Sequence, residues 1–142
     1  MFKSGWSGIN IDLNPLSIEL FNVARPNDVN ICTAISDKES VKNLYFYHSL
    51  SPINTLSKKH TLFTKEIFGT NYLQKKKIRT QKLNSLLKKN NIKKIDYFNI
   101  DIEGCELQVL KTIDFDYFDI KVICVEIITS SKNIKKKYLN LL

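Results

Sequence analysis

Two hydrophobic periods alternate along the chain. Ile9, Ile11 and Leu13 alternate with Asn10 and Asp12, the pattern of a short strand. Asn14-Pro15 follows as a turn signal, with Asn14 suited to an N-cap and Pro15 to the first helical position. Leu16, Ile18, Leu20 and Phe21 then recur at helical spacing to about Ala24, and Pro26 ends the helix. Val29, Ile31, Thr33 and Ile35 alternate again and predict a second strand, and Leu44–Tyr47 a third. Residues 51–78 hold no clear period and read as irregular. Order returns at Ile78–Leu83, and Leu83, Leu86 and Leu87 predict a helix that stops at Asn90-Asn91. Ile95–Asp101 reads as a strand and Glu103–Ile113 as a helix through Leu107, Leu110 and Ile113. Val122–Ile128 is a nearly unbroken apolar run, as in parallel strands covered on both faces. Strand–helix–strand units imply an α/β fold with a mainly parallel sheet. Strand 8–13 is expected beside 29–34, and 95–101 beside 121–127, both in parallel.

Composition narrows the class. The 142 residues are 43% apolar, enough for one domain with a core. Only 4 glycines and 3 prolines argue against collagen or low-complexity sequence. No apolar run nears the ~18 residues of a membrane span, and the first residues show no signal-like apolar stretch, so a cytoplasmic location is expected. Cys32, Cys105 and Cys124 include no C-x-x-C pair, so neither a disulfide framework nor a zinc ribbon is expected. They read as small core residues, Cys124 foremost. His48 and His60 have no partner pattern, and no metal is expected.

The net charge of +8 is unevenly spread. Residues 67–95 carry nine basic side chains and no acidic one, whereas residues 96–126 carry eight acidic and two basic. Lys75-Lys76-Lys77-Ile78-Arg79 could contact phosphates, but a solvated lysine-rich face explains it as well, and no nucleic-acid module accompanies it.

Ligands of open α/β sheets bind outside the carboxyl ends of the strands. Asp12 ends the first strand, Ala34-Ile35-Ser36-Asp37 the second, Asp101-Ile102-Glu103-Gly104 the next, and Glu126 the last. Three of these four strands thus end in a carboxylate, and the three are expected on one rim of the sheet. Asp12 fits equally a carboxylate that accepts ribose hydroxyls and a strand-end residue that caps a turn. Glu103 and Glu106 also suit a helix N-terminus through its dipole.

Together these segments resemble the FkbM-type family of S-adenosylmethionine-dependent methyltransferases. The resemblance is carried by Gly5–Pro15, Arg25-Pro26, Ala34–Asp37 and above all Ile100-Asp101-Ile102-Glu103-Gly104-Cys105-Glu106-Leu107-Gln108-Val109-Leu110, with Val125-Glu126 as the following strand. It spans about residues 5–128, poorly over 48–76, and Asn84 departs from the family pattern. It implies a Rossmann-like class I methyltransferase sheet and S-adenosylmethionine as cofactor. Asp12 would bind its ribose, Ala34 and Ile35 its adenine, and Asp101 would face its methionine end and the acceptor. Asp101, with Glu103 second, would be the catalytic base for a hydroxyl of a small-molecule, sugar or glycan acceptor. The family's acidic-x-Gly-x-x-x-Gly loop would fall upstream of Gly5. The chain is therefore expected to be a single incomplete domain over 1–142, a partial sheet with its first strand missing. Such a chain would leave a gap beside strand 8–13 or pair it with 95–101, and would bind cofactor weakly. A truncated, non-catalytic remnant or binding module and a basic nucleic-acid-binding protein are the alternatives.

Overall fold

The computed structural model describes residues 2–49, 51–127 and 132–141. A 3-10 turn at Phe2–Ser4 precedes β1 (Ile9–Asp12) and α1 (Pro15–Ala24). Asn14 caps α1 as its spacing predicts: its side-chain oxygen accepts the Leu16 N–H at 3.0 Å. β2 (Val29–Cys32) pairs in parallel with β1, from Ile9 opposite Val29 to Asp12 opposite Cys32. The expected strand over Val29–Ile35 is in fact two. The Thr33 N–H still bonds to the Asp12 carbonyl at 2.9 Å, but β3 (Ala34–Ser36) then joins β5 (Gln74–Lys82) in parallel. A period of two marks extended chain and says nothing about which neighbour it takes. β4 (Ser40–Phe46) covers the other edge of β5, antiparallel.

The irregular stretch expected over 51–78 is corrected. It contains α2 (Lys58–Phe68) and much of β5. The buried residues of α2 are His60, Thr61 and Thr64, whereas Leu62, Ile67 and Phe68 are exposed. No apolar stripe therefore announced the helix. Its signals were the cap Ser57, which accepts the His60 N–H at 3.1 Å, and Gly69, left-handed at φ 66°. In β5 the lysine run lies partly on aromatic rings. Lys76 Nζ sits 3.3 Å from the Phe46 ring centre, and Lys75 Nζ lies 5.9 Å from the rings of Tyr45 and Tyr72.

α3 (Leu83–Lys89) buries all three of its predicted leucines. The strand expected over 95–101 is broken into β6 (Lys94–Ile95) and β7 (Phe98–Ile100), and its partner into β8 (Asp119–Ile120) and β9 (Ile123–Val125). Both pairs, β6 with β8 and β7 with β9, run parallel as expected. The helix expected over 103–113 shrinks to α4 (Glu106–Leu110), because Glu103 takes a left-handed backbone at φ 55° that no α-helix accommodates. α5 (Lys132–Leu139) follows.

The apolar cluster holds Leu83, Leu87, Ile100, Val109, Leu110 and Phe118, with Ile9, Ile11 and Ile35 packed against it. Two expectations fail here. Val122–Ile128 is not covered on both faces: Ile123 and Val125 are half-buried while Cys124 is exposed, as is Asn99 opposite it (Ile128 lies outside the described residues). Cys124 and Cys32 are therefore surface thiols, and Cys105 alone of the three is buried.

The fold is mixed α/β, and four of its five strand pairings are parallel. Its strands pair as β1–β2, β3–β5–β4, β6–β8 and β7–β9, the last two in one shared register. No continuous Rossmann-like sheet is present among the described residues, and no ladder joins β1 to β7.

Candidate active site

The carboxyl ends of β1, β2 and β7 open on a cavity of about 370 Å³. Its walls include Asp12, Ala34, Ile35, Asp101 and Glu103, closed by Asn54 from the loop after β4. Asp12 is half-buried, and its Oδ1 accepts the Asn14 N–H at 2.8 Å. That oxygen ties the strand end to the helix that follows. The other carboxylate oxygen meets no partner among the described residues. Capping and ligand binding, read as alternatives, are thus compatible in one side chain.

Asp101 and Glu103 stand across the cavity, and Glu126, just beyond β9, joins them. Carboxylate oxygens of the three lie within 4.8 Å of one another. Such crowding resists full ionisation. Although Glu126 remains largely exposed, partial removal of its carboxyl from water raises it to about 7, helped by the Asp101 charge, a hydrogen bond with Asp101, and the charges of Glu103 and Glu106. Near neutral pH Glu126 therefore changes its charge.

The turn that carries this cluster is held from three sides. Glu106 is buried, and its Oε1 accepts the N–H groups of Ile102 at 3.0 Å and Gly104 at 2.9 Å. Thr55 Oγ1 donates to the Glu103 carbonyl at 2.6 Å. His60, its side chain only 4% exposed, places Nε2 2.9 Å from Glu103 Oε2. Gly104 makes this fit possible. It sits at φ 93°, and a Cβ there would come within 3.1 Å of His60 Cβ and 3.2 Å of Nδ1.

The sequence assigned no site role to His60 or Thr55, and to Glu106 only a helix N-terminus. For Glu106 a signal existed, since an acid two residues past an Asp-Ile-Glu-Gly turn can reach back to its amides much as a capping box does. His60 and Thr55 had none, because the turn they hold lies more than forty residues away.

A second cavity, of about 590 Å³, adjoins the same turn and is lined by His60, Gly104, Glu106, Phe63, Lys137 and Tyr138. Burial, then the Glu106 charge, raises both the Cys105 thiol, to about 11, and the Tyr138 hydroxyl. Cys105 is thus a protonated core thiol rather than a nucleophile.

The family described as the methyltransferase FkbM domain matches residues 1–140. The chain belongs to the FkbM methyltransferase family. No curated protein and no solved structure matches it. Within this FkbM domain the stretch Asp101–Leu110 supplies both the acidic wall of the first cavity and the turn that separates Glu103 from α4. Among the described residues, no helix is long and apolar enough to cross a membrane.

Proposed function

We propose that the chain is an S-adenosylmethionine-dependent O-methyltransferase that methylates a hydroxyl of a sugar or natural-product acceptor, with the cofactor in the 370 Å³ cavity. One observation carries this: residues far apart in sequence, Asp12, Ala34, Ile35, Asp101 and Glu103, line one cavity at or just beyond the carboxyl ends of β1, β2 and β7. Its volume lies within the ~300–1,000 Å³ of ligand sites.

The residues fit the cofactor. The Asp12 oxygen left free by Asn14 can accept a ribose hydroxyl. Buried Ala34 leaves room for a flat ring, and Ile35 offers it an apolar face. S-adenosylmethionine, when bound, supplies a methyl group on a positively charged sulfur. Asp101 and Glu103, with Glu126 adjoining them, would supply negative charge to hold that sulfur. Asp101 is placed to orient the acceptor oxygen and take its proton, with Glu103 beside it. A cytoplasmic, small-molecule or glycan-modifying enzyme follows from this reading, with no role for nucleic acid. The alternative is a non-catalytic binding module, and the separation of the β1–β2 and β7–β9 ladders favours it.

Titration of the ¹⁵N-labelled chain with S-adenosylmethionine to millimolar concentration separates the two. The amides of Asp12, Ala34 and Ile35 should shift together and saturably, with tritiated methyl appearing on members of a hexose panel. Shifts elsewhere, or none, overturn the cofactor assignment, and binding without transfer favours the binding module.

A further inference from the structure

We propose that His60 is the second member of a proton relay, carrying the acceptor proton from Glu103 in the first cavity to water in the second. The inference rests on the methyltransferase reading and deepens it.

Three observations place His60 there. Its Nε2 is buried without a hydrogen bond, yet lies 2.9 Å from Glu103 Oε2. A close approach of this kind is unfavourable between two lone pairs and favourable once one proton lies between them. Second, the ring spans two spaces. Glu103 lines the first cavity, His60 lines the second, and their contact is a direct side-chain link between the two. Third, the contact is built rather than incidental. Gly104 lies against the ring with no room for a Cβ, and Thr55 ties down the Glu103 carbonyl at 2.6 Å. The groups around the ring are Glu103 and Glu106 from the turn, Lys59 and Glu66 on α2, and Lys137 and Tyr138 on α5.

The step balances. The acceptor O–H breaks as its oxygen bonds the methyl carbon, and the C–S electron pair stays on the departing sulfur. The proton enters the Asp101–Glu103 carboxylates and passes from Glu103 to His60 Nε2. The imidazolium then releases its Nδ1 proton to water in the second cavity, and a half-turn of the ring about its Cβ–Cγ bond brings the bare nitrogen back to Glu103 for the next proton. Without this exit, the proton would remain on the carboxylates that must accept the next one.

Two measurements test the relay. The first needs no activity: His60 ring ¹⁵N resonances followed from pH 5 to 9 in wild type and Glu103→Gln. Coupling predicts ring shifts in the wild type that respond to ionisation of Glu103, a response absent from the variant. Identical curves would overturn the proposal. The second compares methyl transfer to a hexose in wild type, His60→Gln and His60→Ala. Gln can keep the contact with Glu103 but cannot carry a proton. We expect a roughly tenfold or greater loss of turnover in both variants, cofactor affinity within about twofold of wild type, and partial rescue of His60→Ala by added imidazole. Full activity in His60→Gln would reduce His60 to a packing residue. If the wild type itself transfers no methyl group, the methyltransferase reading fails, while the ring spectra still decide whether Glu103 and His60 share a proton.

Discussion

Asp12 shows how one side chain can serve both the fold and a ligand. Its Oδ1 secures the entry to α1 through Asn14, and the second oxygen faces the cavity. Asp12→Ala should therefore weaken S-adenosylmethionine binding by about 1.5–3 kcal/mol, the range for hydrogen bonds to a charged group. Calorimetry or the amide titration would measure it, and unchanged affinity would leave Asp12 as a turn residue only. Asp101→Asn should lower turnover more than cofactor affinity, because its role is toward the acceptor. Gly104 gives a third test. An alanine there meets the strain of a left-handed backbone, about 1–2 kcal/mol, and a Cβ pressed against His60. Gly104→Ala should lower the melting temperature and also displace the His60 ring resonances, an effect that backbone strain alone would not produce.

At the scale of elements, α1 and α3 follow their sequence patterns, whereas α2, whose inner face is polar, does not. α1 and α3 were legible because Asn14, Pro15 and the three leucines of α3 act locally. Asn14→Ala should thus cost about 1 kcal/mol, the usual value of a lost N-cap, read from denaturant midpoints. α2 was illegible because it turns His60, Thr61 and Thr64 inward, so its inner face carries no hydrophobic period. Tyr47 accounts for part of this: its hydroxyl lies 2.9 Å from Thr64 Oγ1, which in turn donates to the His60 carbonyl at 2.7 Å. The strand breaks at Asp96-Tyr97 and Lys121-Val122 lie at the same level, beside the exposed Asp96–Lys121 ion pair, and the register continues across them: the Lys121 N–H bonds to the Ile95 carbonyl at 2.9 Å and the Phe98 N–H to the Val122 carbonyl at 2.8 Å. The acidic strand ends were readable one by one, since each follows an apolar run. Their convergence was only an expectation, because the pattern of one strand does not say which strands share its rim. The support that Thr55 and His60 give Glu103 was hidden, being supplied by a segment with no hydrophobic period of its own.

Across the whole molecule, two carboxylates should bend the pH dependence of stability in opposite directions. Asp37 is held at about 2 by the Lys42 ammonium, 2.6 Å from its Oδ1, and by the Ser36 hydroxyl at 2.7 Å. Its folded-state pKa lies below the ordinary 3.8, so its contribution is complete above about pH 4 and disappears as pH falls toward 2. Glu126 has the reverse sign. Its carboxyl is raised from 4.5 to about 7, so the folded chain binds the proton more tightly than the unfolded chain does. That contribution is complete below about pH 4.5 and is lost as pH rises through 7. Both side chains are partly solvated, which reduces the size of each effect without changing its direction. Melting temperatures of wild type, Asp37→Asn and Glu126→Gln from pH 2 to 9 would expose the pattern. Asp37→Asn should melt below wild type above pH 4 and converge with it near pH 2. Glu126→Gln should match wild type near pH 4.5, rise above it between about pH 4.5 and 7 and hold that margin above 7, because glutamine removes the charge crowded against Asp101 and Glu103. A Glu126→Gln curve parallel to wild type across that range would mean that the three carboxylates do not repel one another in the folded chain. The acidic wall proposed to retain a cationic sulfur would then lose its electrostatic basis, whatever the fate of Asp12.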